Sequence, residues 1–140
     1  MGESGIGLEN GAGPGAAMAP PQQRGATELD RELIGELVES YGVELVGELS
    51  ASLRAEAAED LARLDAAIAG GDVAEAARRL HSVRGAALNL GCLGFARCAQ
   101  HWEKAAEAGR LPGLEERCML GALLEVSLAE LERVTALAAA

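Results

Sequence analysis

The stretch Ala77–Gly91, ARRLHSVRGAALNLG, decides how the chain is interpreted, because it is a helical run built around one histidine, His81. On a helix that turns about 100° per residue, one side of this segment is apolar and suited to a core. The apolar stripe consists of Val73, Ala76, Leu80, Val83 and Ala87. His81 points away from the stripe, so the pattern predicts an amphipathic helix that exposes an imidazole to solvent.

Small and basic residues surround His81 on the same side of the predicted helix. Arg78 and Arg84 flank the ring on either side, whereas Arg79 projects to the other side of the helix. We call the surface around His81 the docking face. We expect it to contact a protein partner, because several of its residues are too small to shield the ring. Its predicted members are Ala74, Ala77, Arg78, Gly85 and Leu88. A glycine inside a helix costs about 1 kcal/mol relative to alanine. Gly85 is either simply tolerated or, in our interpretation, kept small so that a partner can approach.

Apolar residues at helical spacing predict five helices, at about residues 27–41, 43–69, 72–90, 93–108 and 114–138. Thr27 is the expected N-cap of the first, and Asp72 with Glu75 resembles a capping box for the helix that holds His81. Tyr41, Leu114 and Cys118 are among the residues expected to face the core. Short connections force neighbouring helices to be antiparallel. The predicted fold is therefore all-α, an antiparallel up-down four-helix bundle with a short additional N-terminal helix.

The chain divides into a predicted tail and one domain. Residues 1–26 are rich in Gly, Ala and Pro and show no periodicity, so we expect a flexible tail ahead of a bundle domain at 27–140. No apolar run reaches about 18 residues, and no basic segment followed by an apolar one begins the chain. We therefore expect no membrane association and a cytoplasmic location.

The composition argues against nucleic-acid binding and leaves a metal site as an alternative. A net charge of −10 and 2% aromatic residues argue against nucleic-acid binding, which needs basic patches and stacking platforms. The three cysteines, Cys92, Cys98 and Cys118, lack a C-x-x-C spacing, which favours reduced thiols. A metal site built from His81, His101 and these cysteines is one alternative, but the spacings match no zinc pattern, and we expect no bound metal.

Catalysis by the chain alone finds little support in its motifs. No G-x-x-x-x-G-K-[ST] segment is present, so we expect no ATP binding and no autonomous kinase activity. Ser82 is adjacent to His81, but neighbouring helix positions point in different directions, which does not favour a hydrolytic triad. We expect a displayed nucleophile whose chemistry another protein completes, rather than an enzyme.

Three groups of residues resemble the motif of histidine phosphotransfer (HPt) domains. They are His81-Ser82-Val83-Arg84-Gly85, Asn89-Leu90-Gly91 and Trp102-Glu103. In that family the pattern is roughly H-x-L-K-G, then N-L-G, then an L-E pair on the next helix. Here Val83 replaces the usual leucine, Arg84 the usual lysine, and Trp102 stands where leucine is common. The resemblance extends over about residues 28–138.

The resemblance implies a phosphorelay intermediate of a two-component system. His81 would accept a phosphoryl group from a receiver-domain aspartate and pass it to another receiver. Arg84 would offset phosphoryl charge, Arg78 more loosely, and Glu103 could orient the imidazole. The chain would need no cofactor of its own, since the receiver supplies Mg²⁺. Expected partners are response-regulator receivers and a hybrid histidine kinase, with the chain a monomer. The alternative is a helical docking or scaffold protein in which His81 is not phosphorylated.

Overall fold

The computed structural model describes residues 25–139, and this part of the chain contains five helices and no β-strand. The helices are α1 (Arg31–Tyr41), α2 (Val43–Gly70), α3 (Val73–Leu88), α4 (Leu93–Glu107) and α5 (Leu114–Ala139). Short connections join each helix to the next, as an up-down arrangement requires. The predicted all-α bundle with an additional N-terminal helix is confirmed.

The four long helices enclose one apolar core. Helix α3 packs against α2 and α4, and α5 packs against α2 and α4. Leucine and alanine fill most of the interior, with Phe95 the largest fully buried side chain. Helices α2 and α5 have 28 and 26 residues, whereas α3 and α4 have 16 and 15. The short α1 packs on α2 and α5, where it buries Ile34 completely.

Helix α1 begins later than predicted, at Arg31, and its N-cap is Asp30 rather than Thr27. The Asp30 carboxylate accepts a hydrogen bond of 3.0 Å from the Leu33 backbone N–H. Aspartate is a better N-cap than threonine. Residues before Asp30 do not become helical because they bond elsewhere: Leu29 forms an isolated antiparallel bridge with Cys92. Leu29 is buried, but from this non-helical segment and not from a helical stripe.

Residues 25–30 form a segment that crosses the turn between α3 and α4, and we call it the strap. The Asp30 N–H donates to the Gly91 carbonyl at 2.8 Å, and the Gly94 N–H donates to the Glu28 carbonyl at 3.0 Å. Arg97 adds an ion pair with the Glu28 carboxylate at 2.6 Å. Of the predicted tail, residues 1–24 lie outside the described residues, and residues 25 and 26 belong to the strap.

The residues expected in the core of α1 and α5 include some that lie at the surface. Tyr41 is 61% exposed at the last position of α1, and Leu114 is 80% exposed at the first position of α5. Cys118, one turn further along α5, is also exposed. The first buried residue of α5 is Leu120, so the opening turns of this helix are not packed on their apolar side. Helical periodicity alone could not show where along the helix packing begins.

Gly94 is the residue whose replacement tests the strap. A Cβ atom at Gly94 would collide with the backbone of Gly25 and Ala26. We expect Gly94→Ala to lower the free energy of unfolding by about 1–3 kcal/mol through overpacking, although alanine favours helices. Gly85→Ala is the matched control, because nothing lies within 4 Å of a Cβ there. We expect that variant to gain up to about 1 kcal/mol. Urea unfolding of both variants measures the difference, and equal stabilities would contradict the docked strap.

Candidate functional site

The helix that carries His81 starts as the sequence predicts. The Asp72 carboxylate accepts a hydrogen bond of 3.1 Å from the Glu75 backbone N–H, as an N-cap should. The helix ends at Leu88, two residues earlier than predicted, and the chain turns through Gly91, whose φ is +80°. The Cys92 N–H then closes the turn on the Ala87 carbonyl at 3.0 Å.

His81 lies on the solvent side of α3, opposite the buried stripe. Of the predicted stripe, Ala76, Leu80, Val83 and Ala87 are at most 1% exposed, and Val73, at the first position of the helix, is half-buried. The His81 side chain is 66% exposed. The predicted orientation of this histidine is confirmed.

One nitrogen of the imidazole is held by side chains from α3 and α4. The Nδ1 atom of His81 lies 2.9 Å from Oε2 of Glu103, a residue of α4 that is 8% exposed. The Arg84 Nε–H donates to Oε1 of the same carboxylate at 2.9 Å, and an Arg84 terminal nitrogen lies 2.9 Å from Nδ1. Within residues 25–139 no hydrogen bond engages Nε2. The cluster His81–Arg84–Glu103 therefore restrains the ring at Nδ1 and leaves Nε2 toward solvent.

Arg84 and Glu103 require opposite tautomers of His81. Glu103 as a carboxylate only accepts, so it pairs with Nδ1–H, whereas Arg84 only donates, so it pairs with a bare Nδ1. A carboxylate partner at Nδ1 leaves the lone pair on Nε2, the nitrogen that faces solvent. Arg84 retains its bond to Oε1 in either case. When Nδ1–H pairs with Glu103, the ring is therefore nucleophilic at its exposed nitrogen.

The two arginines beside His81 occupy different places. Arg84 is 22% exposed and lies on the Nδ1 side of the ring, paired with Glu103. Arg78 is 62% exposed and forms an ion pair of 2.8 Å with Glu75, one turn before it. Arg79 points to the other side of α3, as predicted.

The docking face is small and accessible around the ring. Ala74 and Gly85 are exposed, Ala77 is half-buried, and Leu88 is 38% exposed. Open space surrounds the position of a Cβ at Gly85. The structure thus brings together on one side of α3 the residues that the sequence placed there.

Besides the Glu103 contact from α4, a buried carboxylate on α2 also holds α3, and the sequence analysis did not predict it. Asp60 of α2 is 8% exposed and accepts hydrogen bonds from the Ser82 hydroxyl at 2.8 Å and from Arg79 at 3.3 Å. These bonds tie α3 to α2 on the side away from Glu103. An aspartate at a position where the α2 pattern calls for a core residue was the signal that could have revealed it.

The remaining candidates do not join the site. His101 is half-buried, with its ring edge-on to Trp102 at a centroid distance of 5.1 Å. Desolvation lowers the pKa of His101, and the nearby charge of Arg110 lowers it further. Burial raises the pKa of the Cys92 thiol to about 11. Among residues 25–139, no three His, Cys, Asp or Glu side chains are grouped so that they could hold a metal ion.

A comparison with known protein families identifies the class. The model of the Hpt domain family matches residues 48–139, well over half of the chain. The chain therefore belongs to the Hpt domain family, whose members carry out histidine phosphotransfer with receiver domains in two-component systems. None of the curated proteins and none of the solved structures searched matches it significantly. In the described part of the chain, no helix has the length and apolar character needed to span a membrane.

Proposed function

We propose that this protein is a phosphorelay intermediate in which His81 accepts a phosphoryl group from a receiver aspartate and passes it to a second receiver. The observation that carries the proposal is the exposed imidazole with Nδ1 held 2.9 Å from Glu103 and Nε2 toward solvent. The protein would act as a cytoplasmic monomer, and a hybrid histidine kinase would supply the first receiver. The chain contributes no cofactor, and the receiver brings Mg²⁺.

The transfer step requires one nucleophilic atom from this chain. The Nε2 lone pair of His81 attacks the phosphorus atom of the aspartyl phosphate. The N–P bond forms as the P–O bond to the aspartate breaks, and the electron pair leaves with the receiver's carboxylate. Nδ1 keeps its proton, so the positive charge that develops on the ring faces the Glu103 carboxylate, which stabilises it. Transfer to the second receiver reverses these changes.

Arg84 serves this step in two ways in our proposal. Its bond to Oε1 of Glu103 fixes the carboxylate against Nδ1, which makes Arg84 a positioning residue. Its charge also offsets the phosphoryl oxygens, although it lies on the Nδ1 side and acts across the ring. That Arg78 also offsets the charge of the phosphoryl oxygens stays a prediction, since this side chain is exposed and paired with Glu75.

The test is a phosphotransfer panel against the receiver domains of the same organism. Each receiver is phosphorylated with labelled phosphate in the presence of Mg²⁺ and mixed with the full chain. We expect one or more receivers to pass label to the chain within seconds to minutes, and labelled ATP alone to give none. Failure of every receiver to transfer label would favour the docking or scaffold alternative.

Replacement of Glu103 tests its role in setting the tautomer. We expect Glu103→Ala to slow transfer by about tenfold to a hundredfold, because hydrogen bonds to charged groups contribute about 1.5–3 kcal/mol. Glu103→Gln retains an oxygen that accepts from Nδ1–H and should recover much of the rate. The ¹⁵N chemical shifts of the His81 ring report the tautomer independently. The proposal fails at this point if Glu103→Ala keeps both the wild-type rate and the wild-type tautomer.

A further inference from the structure

Half of the basic residues of the chain lie in α3, in α4 and in the residues just after α4. The segment from Val73 to Arg110 holds six of the 12 Lys and Arg residues but only three of the 22 Asp and Glu residues. The basic residues are Arg78, Arg79, Arg84, Arg97, Lys104 and Arg110, and the acidic ones are Glu75, Glu103 and Glu107. This is a local excess of positive charge on a chain whose net charge is −10.

The other helices carry the opposite charge. Residues 28–70 and 114–139, which contain α1, α2 and α5, hold most of the acidic residues of the chain. Their basic residues are Arg31, Arg54, Arg63, Arg117 and Arg133. Helix α5 packs on α1, α2 and α4 but not on α3, so it lies diagonally across the bundle from His81. The charge is therefore divided between a positive α3–α4 layer and a negative remainder.

Each of the two helices that form the site carries an exposed cation close in sequence to the His81–Arg84–Glu103 cluster. Arg78 is 62% exposed on α3. Lys104 is exposed on α4, directly after Glu103, and no ion pair within residues 25–139 engages it. The inward-facing Arg79 and Arg84 are instead paired with Asp60 and Glu103. Arg78, Arg97, Lys104 and Arg110 are thus the exposed basic residues of this layer, and Arg78 and Lys104 are the two that lie close in sequence to the His81–Arg84–Glu103 cluster.

We propose that the partner receiver presents an acidic surface around its aspartyl phosphate, and that the divided charge of this bundle steers that surface onto the α3–α4 layer. This inference rests on the proposed function and specifies its partner. Complementary charge raises the rate of encounter, whereas like charge suppresses wrong orientations. The acidic helices α1, α2 and α5 repel an acidic receiver. Arg78 and Lys104 attract it to the α3–α4 layer, which carries His81.

The experiment measures the second-order rate constant of phosphotransfer from the receiver that transfers fastest in the panel. Salt screens such steering, since the Debye length falls from about 30 Å at 0.01 M to about 3 Å at 1 M. We expect the wild-type rate constant to fall about tenfold between these extremes. Lys104→Glu should be slower than wild type at low salt and converge with it at high salt.

Arg133→Glu is the matched control, because it changes the net charge by the same two units on α5. Arg133 is 56% exposed and lies in an ion pair with Glu130 on the same helix. We expect this variant to transfer at close to the wild-type rate at every salt concentration. Transfer that proceeds without salt dependence, or equal slowing by both variants, overturns the steering and leaves the proposed function intact. Absence of transfer from every receiver overturns both.

Discussion

His81→Gln is expected to abolish label uptake from a phosphorylated receiver while the fold stays intact. The side chain is 66% exposed, so its replacement removes little packing, and surface substitutions usually change stability by within about 0.5 kcal/mol. Glutamine has no nitrogen nucleophile comparable to Nε2. The measurement is transfer of labelled phosphate, with circular dichroism and thermal unfolding to show that the bundle is unchanged.

His101→Gln is the matched control for this loss. His101 is half-buried beside Trp102, away from the His81–Arg84–Glu103 cluster, and we expect its replacement to leave label uptake close to wild type. The label on the wild-type chain should be labile in acid and stable in base, as expected for phosphohistidine. Label that persists in His81→Gln and disappears in His101→Gln would reverse the assignment.

Gly85→Gln should have the second largest effect, on transfer alone. A Cβ at this position meets nothing within 4 Å, and the residue is exposed in the middle of α3. We therefore expect the free energy of unfolding to rise by up to about 1 kcal/mol, because glycine is a poor helix former. The side chain would stand one turn from His81, in the path of the receiver. Transfer should slow at least about tenfold, which corresponds to about 1.4 kcal/mol in the barrier.

Gly47→Gln provides the matched control for the steric argument. Gly47 is also an exposed helical glycine with nothing within 4 Å of its Cβ position, but it lies on α2, near the end covered by α1. We expect a similar gain in stability and no loss of transfer rate. If Gly85→Gln transfers as fast as Gly47→Gln, the receiver does not dock over this part of α3.

The sequence was sufficient to predict the helices and the exposed side of α3. Helical periodicity at Leu80, Val83 and Ala87 determined which side of the helix would be buried. The exposure of His81 on the opposite side followed from it. The capping of α3 by Asp72 was also readable, because an N-cap is a local interaction between residues three positions apart. These features depend on neighbours within one or two turns of helix.

The features that the sequence could not supply depend on contacts between distant segments. Asp30, and not Thr27, caps α1 because the backbone N–H of Asp30 pairs with the carbonyl of Gly91, about sixty residues later. The Asp60 contact with Ser82 likewise joins two helices: the α2 pattern marks position 60 as inward-facing, but it does not show which residue of another helix the carboxylate meets. The position of Glu103 beside His81 came from the family resemblance, since single-helix periodicity carries no information on which helices pack together.

The strap changes where the foldable unit of this family member begins. The family match starts at residue 48, but the strap covers the α3–α4 turn and α1 seals the core with Ile34, which is fully buried. A fragment cut at the family boundary would lose both and expose apolar surface of α2 and α5. Grafting this unit into another signalling protein, or fusing a reporter ahead of it, therefore calls for a junction upstream of Gly25. A reporter attached there would also enter at the α3–α4 turn, at one end of the helix that carries His81.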